Sequence, residues 1–139
     1  MCCLKRPFDD QSQPRIRIES EAVLALLGER DRLTFVSSPA HALENRRNPV
    51  TSRAARVRAW LGEVGLTTVD RDQAEVRTAE LIGVGFKPFD AFHVACAELS
   101  AAMVFVTTDD RLLARARRVG SSLRVRVTDP VALVQEVFG

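Results

Sequence analysis

The order of apolar runs along the chain predicts an α/β fold, a three-layer α/β/α sandwich around a parallel sheet whose first central strand is absent or truncated. Three observations carry this expectation. Short branched or aromatic runs alternate with longer stretches whose apolar residues recur every three or four positions. The 139 residues suit a single domain spanning 1–139. Only residues 1–4 are available for a strand ahead of Lys5, Arg6 and the polar turn around 7–13, too few for a buried central one.

The first helix is expected after Pro14, with Ile16, Val23, Leu26 and Leu27 on one stripe and Gly28 as its stop. Residues 33–37 (LTFVS) suit a buried strand, after which Ser38 caps a helix with Pro39 at its first position. Asn48 and Pro49 break that helix, and Thr51 or Ser52 is expected to cap the next, built on Ala54, Val57, Leu61 and Val64. A short strand at 66–69 follows. Asp70 or Asp72 then begins a helix that stops in the turn from Gly83 to Gly85, and Pro88 starts the most apolar helix, from about 89 to 99. The remainder reads as a strand at 103–106, a capped amphipathic helix at 108–119, an edge strand at 123–127 and a last helix from Pro130 to Phe138. There is no internal repeat, linker or low-complexity segment.

The hydrophobic share of 46% with 27% charged residues excludes a disordered chain. No run approaches the roughly 20 apolar residues of a membrane helix, and no apolar stretch follows Lys5 and Arg6 as it would in a signal peptide, so no membrane association and a cytoplasmic location are expected. Cys2, Cys3 and Cys96 offer neither a disulfide framework nor zinc-ligand spacing. A net charge of +2 does not mark a nucleic-acid binder. The distribution says more: Arg46 and Arg47, then Arg53, Arg56 and Arg58, then Arg111, Arg115, Arg117 and Arg118 form three segments able to contact phosphates or to solvate helix faces.

In open parallel sheets the loops at the carboxyl ends of the strands converge on one crevice, which directs attention to acids that follow strands. Glu44, Asp90 and Asp109 hold such positions. Each has a structural alternative: Glu44 as a solvated helix face, Asp90 as an acid favoured by the helix dipole, Asp109 or Asp110 as a helix cap. Asp90, however, is embedded in Phe89, Ala91, Phe92, Val94 and Ala95, where an unpaired charge is costly and a cation is the natural partner. Asp9 and Asp10 sit in a turn suited to capping. His93 reads as a hydrogen-bonded core histidine and Trp60 as packing.

Residues 87–95 (KPFDAFHVA) and 107–112 (TTDDRL) resemble, in order and separation, the two C-terminal signatures of PIN-domain nucleases. Upstream, residues 4–11, the helix from Arg15 to Leu27, and Ser37 and Ser38 with Glu44 are similar to the VapC-like bacterial branch of that family, so the resemblance covers essentially the whole chain. It implies a metal-dependent endoribonuclease in which Asp90, Asp109 and Glu44 form a catalytic cluster around Mg²⁺ or Mn²⁺, with Thr107 supporting the site and Arg46, Arg47 and Arg111 touching RNA. It also implies a small antitoxin protein as inhibitor and a homodimer. The family's first strand ends in an acidic ligand where this sequence has Met1, as a start codon assigned too far downstream would produce. The alternatives are a catalytically inactive PIN-like module that binds RNA or protein, and an unrelated α/β domain whose acids are caps; the lack of a glycine-rich loop after any strand argues against a nucleotide-binding fold.

Overall fold

The computed structural model describes residues 2–139, apart from the side chain of Cys2. Its elements in chain order are α1 (Cys2–Lys5), α2 (Pro14–Leu27), α3 (Pro39–Arg46), α4 (Thr51–Val64), α5 (Arg71–Gly83), α6 (Pro88–Leu99), β1 (Val104–Val106), α7 (Asp110–Val119), β2 (Arg126–Thr128) and α8 (Pro130–Phe138). The position of Met1, where the resemblance expects the first acidic ligand, lies outside the described residues.

The mixed α/β class is observed, but the sheet is much smaller than expected. β1 and β2 pair in parallel, Phe105 opposite Val127, and Thr107 N donates to Thr128 O at 2.9 Å just beyond the ladder. The strand expected at 66–69 and the one at 33–37 reduce to one parallel bridge between Ser37 and Leu66, where Thr67 N donates to Ser37 O at 2.8 Å. A parallel ladder persists where both faces are covered. Here Leu66 is 59% exposed, so its face lacks the apolar lid that would extend the pairing. Among the described residues the sheet thus amounts to one two-stranded parallel pair and one bridge in a mostly helical α/β chain.

Helix placement follows the sequence closely. Pro14, Pro39, Pro88 and Pro130 each open a helix, because the fixed φ suits the first turn and the missing N–H would have had no partner there. Ser38 forms a reciprocal capping box with His41, whose Nδ1 accepts from Ser38 N at 3.1 Å. Asp70 caps α5 by accepting from Gln73 N at 2.8 Å. One cap differs from expectation: Val50, not Thr51 or Ser52, is the cap of α4, and it makes no side-chain cap bond.

The main core gathers around α6. Ala91, Val94 and Ala95 are fully buried, packed with Leu81 of α5, Phe105 of β1, and Leu112 and Ala116 of α7, and Cys96 on the same helix is fully buried as well. Burying a side chain the size of Val94 contributes about 1.5 to 3 kcal/mol, so this helix anchors the sheet and both neighbouring helices. A polar tie reinforces the packing: Glu98, whose side chain is fully buried, accepts from Arg77 Nε at 2.7 Å and from Arg124 N at 2.8 Å. Gly85, in the turn between α5 and α6, has φ +111, and the Arg115 guanidinium of α7 lies where a β-carbon would stand, 2.8 Å from its ideal position. Trp60 packs edge-on against Phe35 and beside the smaller cluster of Val57 and Leu61. Among the described residues, no helix is long and apolar enough to cross a membrane.

Candidate functional site

The three acids come from three elements that the core fixes relative to one another. Glu44 lies on the last turns of α3, Asp90 in the first turn of α6, and Asp109 at the cap of α7 directly after β1. Thr107 and Thr108 link β1 to that cap and are both buried. The Thr107 hydroxyl accepts the Asp109 N–H at 3.1 Å, which orients the carboxylate. Asp109 then accepts from Arg111 N at 2.9 Å and Leu112 N at 3.2 Å. Both cap bonds land on Oδ1, so capping does not use Oδ2.

Asp90 is half-buried. Burial first, and the charge of Asp109 second, push its carboxyl above the ordinary aspartate value; Glu44 adds to the push, while His93 and Lys87 oppose it. The charge of Asp109 thus disfavours ionisation of the half-buried Asp90, and a cation beside Asp90 would offset that.

Glu44 behaves differently. Burial, the largest single influence, would raise its pKa, but the hydrogen bond from His93 together with the nearby positive charges of the chain's amino terminus, His93 and Lys5 outweighs it and holds the carboxyl at about 2. The His93 Nε2 to Glu44 Oε2 distance is 2.5 Å. An ionised carboxylate can only accept, so Nε2 carries the proton. His93 is 5% exposed, and its Nδ1 is buried without a hydrogen-bond partner among the described residues. The ring of His41 meets it edge-on with centroids 5.0 Å apart, and burial lowers the pKa of His41 to about 3, keeping it neutral.

The arginines expected to touch RNA are sequence neighbours of these acids, Arg46 and Arg47 following Glu44 and Arg111 following Asp109. Arg46 and Arg111 are exposed, and the exposed Arg47 stacks its guanidinium over Phe89, 4.6 Å from the ring centroid and one residue from Asp90. Asp110 turns away to form an exposed two-point pair with Arg15 of α2, at 2.6 and 2.8 Å. Asp9 pairs with Arg6 at 3.2 Å and Asp10 accepts from Ser12, so neither joins the cluster.

His93 is the participant that sequence reading assigned only to the core. Its signal was the spacing: Asp90 and His93 are three apart in one helix and so share a face.

As the side chains stand, no group of three or more His, Cys, Asp or Glu among the described residues is arranged to hold a metal ion. Two cavities lie away from the acids. One of about 410 Å³ is lined by residues including Pro39, Ala74, Thr78, Ile82 and Phe92, and one of about 240 Å³ by Phe8, Ser52, Arg53 and Arg56. No protein-family model, curated protein or solved structure matches the chain, so its function is argued from this geometry and the sequence motifs.

Proposed function

We propose that the chain is a metal-dependent endoribonuclease of PIN type, hydrolysing RNA phosphodiester bonds with Mg²⁺ or Mn²⁺ held chiefly by Asp90 and Asp109. The observation that carries the reading is the pair itself, a half-buried carboxylate raised by burial and by a neighbouring carboxylate, which a hard divalent cation would relieve. The donor set fits such an ion: oxygen ligands only, with Asp109 Oδ2 unused by the cap. A bound cation would supply charge stabilisation at phosphorus and a more acidic water.

The chain's own residues divide the remaining work. Glu44, with a pKa near 2, is a poor proton acceptor at neutral pH, so its part is electrostatic and orienting, and His93 fixes that orientation. Arg47, braced over Phe89, is placed to hold a backbone phosphate beside Asp90, and Arg46 and Arg111 add exposed positive charge. A small inhibitory protein presenting a cationic side chain to the Asp90–Asp109 pair would offset the same repulsion, which is the basis for including an antitoxin-like partner. A homodimer belongs to the proposal through the family resemblance alone.

A second reading, a catalytically inactive PIN-like module binding RNA or protein, is favoured by one observation: Glu44 is committed to His93, and no three-ligand group is assembled among the described residues.

The full chain incubated with fluorescent single-stranded RNA and Mn²⁺ tests both. Cleavage that EDTA abolishes and that Asp90→Asn lowers on the order of a hundredfold supports the nuclease. Cleavage indifferent to either treatment overturns the site. RNA bound but left intact in Mn²⁺ supports the inactive module.

A further inference from the structure

The smaller cavity is lined by four side chains, and two are arginines converging on one aromatic ring. The Arg56 guanidinium lies 5.7 Å from the Phe8 ring centroid and that of Arg53 lies 6.0 Å from it. With Ser52 they enclose about 240 Å³ beside the 3₁₀ turn Arg6–Phe8. Arg53 is anchored, since its Nη2 donates to Phe8 O at 2.5 Å and its Nη1 stands 3.9 Å from Asp9. Arg56 is exposed, and among the described residues no carboxylate lies within ion-pair distance of it. Asp9 offsets one charge only partly, because it is shared with Arg6 at 3.2 Å. The cavity therefore presents a fixed cation, an uncommitted cation and a hydroxyl to one volume.

Its place in the chain relates it to the acids. Asn45 Nδ2 donates to Ala54 O at 2.9 Å and so pins the end of α3 to the start of α4. The loop 47–50 between them begins at Arg47, which lies over Phe89 next to Asp90. Arg47, beside Asp90, is thus joined through the short segment 48–52 to Arg53 and Arg56 of the cavity.

We infer that the cavity formed by Phe8, Ser52, Arg53 and Arg56 is a phosphate-binding subsite that takes one phosphate of a single-stranded RNA lying across the acid cluster. This deepens the nucleic-acid reading above and rests on it. Guanidinium groups give phosphate two-point hydrogen bonds, and the Phe8 ring restricts the arginines so that less conformational freedom is lost on binding. The phosphate is either an internal diester or a terminal 5′ monoester.

The test uses the full chain carrying Asp90→Asn, in EDTA, so that cleavage does not enter. The probe is 3′-fluorescein single-stranded RNA with either a 5′-hydroxyl or a 5′-phosphate, followed by anisotropy over a salt series. Arg56→Ala is expected to weaken binding about fivefold and to reduce the log–log salt slope by about 0.7, the loss of one phosphate contact on a single strand. Arg56→Lys is expected to keep the slope. Ser52→Glu provides an independent variant: an acid in the first turn of α4 favours the helix and pairs with Arg56 four residues on, so thermal stability is kept or raised while binding falls. Weakening of both RNAs alike assigns an internal phosphate, and weakening only of the 5′-phosphorylated RNA assigns the terminal one. Unchanged affinity and slope in Arg56→Ala and Ser52→Glu overturn the subsite and leave the nuclease reading intact. Arg56-dependent binding by a chain that never cleaves RNA keeps the subsite and removes the nuclease.

Discussion

His93 Nε2 donates to Glu44 Oε2 across 2.5 Å, joining α6 to α3 by a hydrogen bond between a buried ring and a half-buried carboxylate. His93→Ala removes that donor and opens a cavity beside Phe105, so it is expected to destabilise the fold by about 2 to 4 kcal/mol in urea unfolding. A loss within experimental error would mean that the ring does not hold the two helices together.

The same pair gives a pH dependence. Glu44 is held at about 2 against an ordinary value of 4.5, so its contribution is fully present above about pH 4.5 and is lost as pH falls toward 2. Partial exposure and coupling to His93 reduce that contribution to about 1 to 2 kcal/mol. The difference in urea midpoint between the parent and Glu44→Gln is expected to be full at pH 6, to shrink through pH 4 to 3 and to vanish only toward pH 2; a constant gap would contradict the assignment.

Asp90 has the opposite sign. Its raised value means that the ionised form costs stability as pH rises above the ordinary aspartate range, because burial and Asp109 both disfavour the charge. Asp90→Asn is therefore expected to raise the melting temperature in EDTA by a few degrees. Mn²⁺ is expected to raise the melting temperature of the parent and not that of the variant. A variant that melts below the parent in EDTA would show that the carboxylate stabilises the fold.

Asp109 separates capping from charge. Asp109→Asn retains an oxygen for Arg111 N and Leu112 N, so stability is expected to stay within about 0.5 kcal/mol of the parent. Asp109→Ala loses the cap and is expected to cost about 1 kcal/mol. Both are expected to abolish RNA cleavage. Full activity in Asp109→Asn would assign the residue to the helix alone.

Arg77→Met tests the tie at the other end of α6. It leaves the fully buried Glu98 carboxylate with the Arg124 amide as a remaining donor, and a cost of about 3 to 5 kcal/mol is expected by calorimetry or urea unfolding. Glu98→Gln, which keeps the acceptor and removes the charge, should lose less.

The helices were legible because their signals are local. Pro88 at the start of α6, the apolar face of Ala91, Val94 and Ala95, and Asp109 before α7 all act within a few residues. The strands were legible only where a partner covered them. Residues 103–106 found β2, whereas residues 33–37 and 66–69 have the composition of strands but meet at one bridge, and nothing in either run records that its second face is open. The acids were selected by position after apolar runs, a local signal that the sequence does carry. The His93–Glu44 bond was not legible, since it joins residues 49 apart through a helix packing that no single motif specifies.

The glycine at position 85 holds a backbone conformation, φ +111, that other residues rarely adopt. Arg115 reaches back from α7 to rest its guanidinium against the turn that feeds α6. A single added methyl group there would push aside the mobile tip of Arg115 and strain the turn, so a change that touches neither acid would still be felt where the Asp90 helix begins.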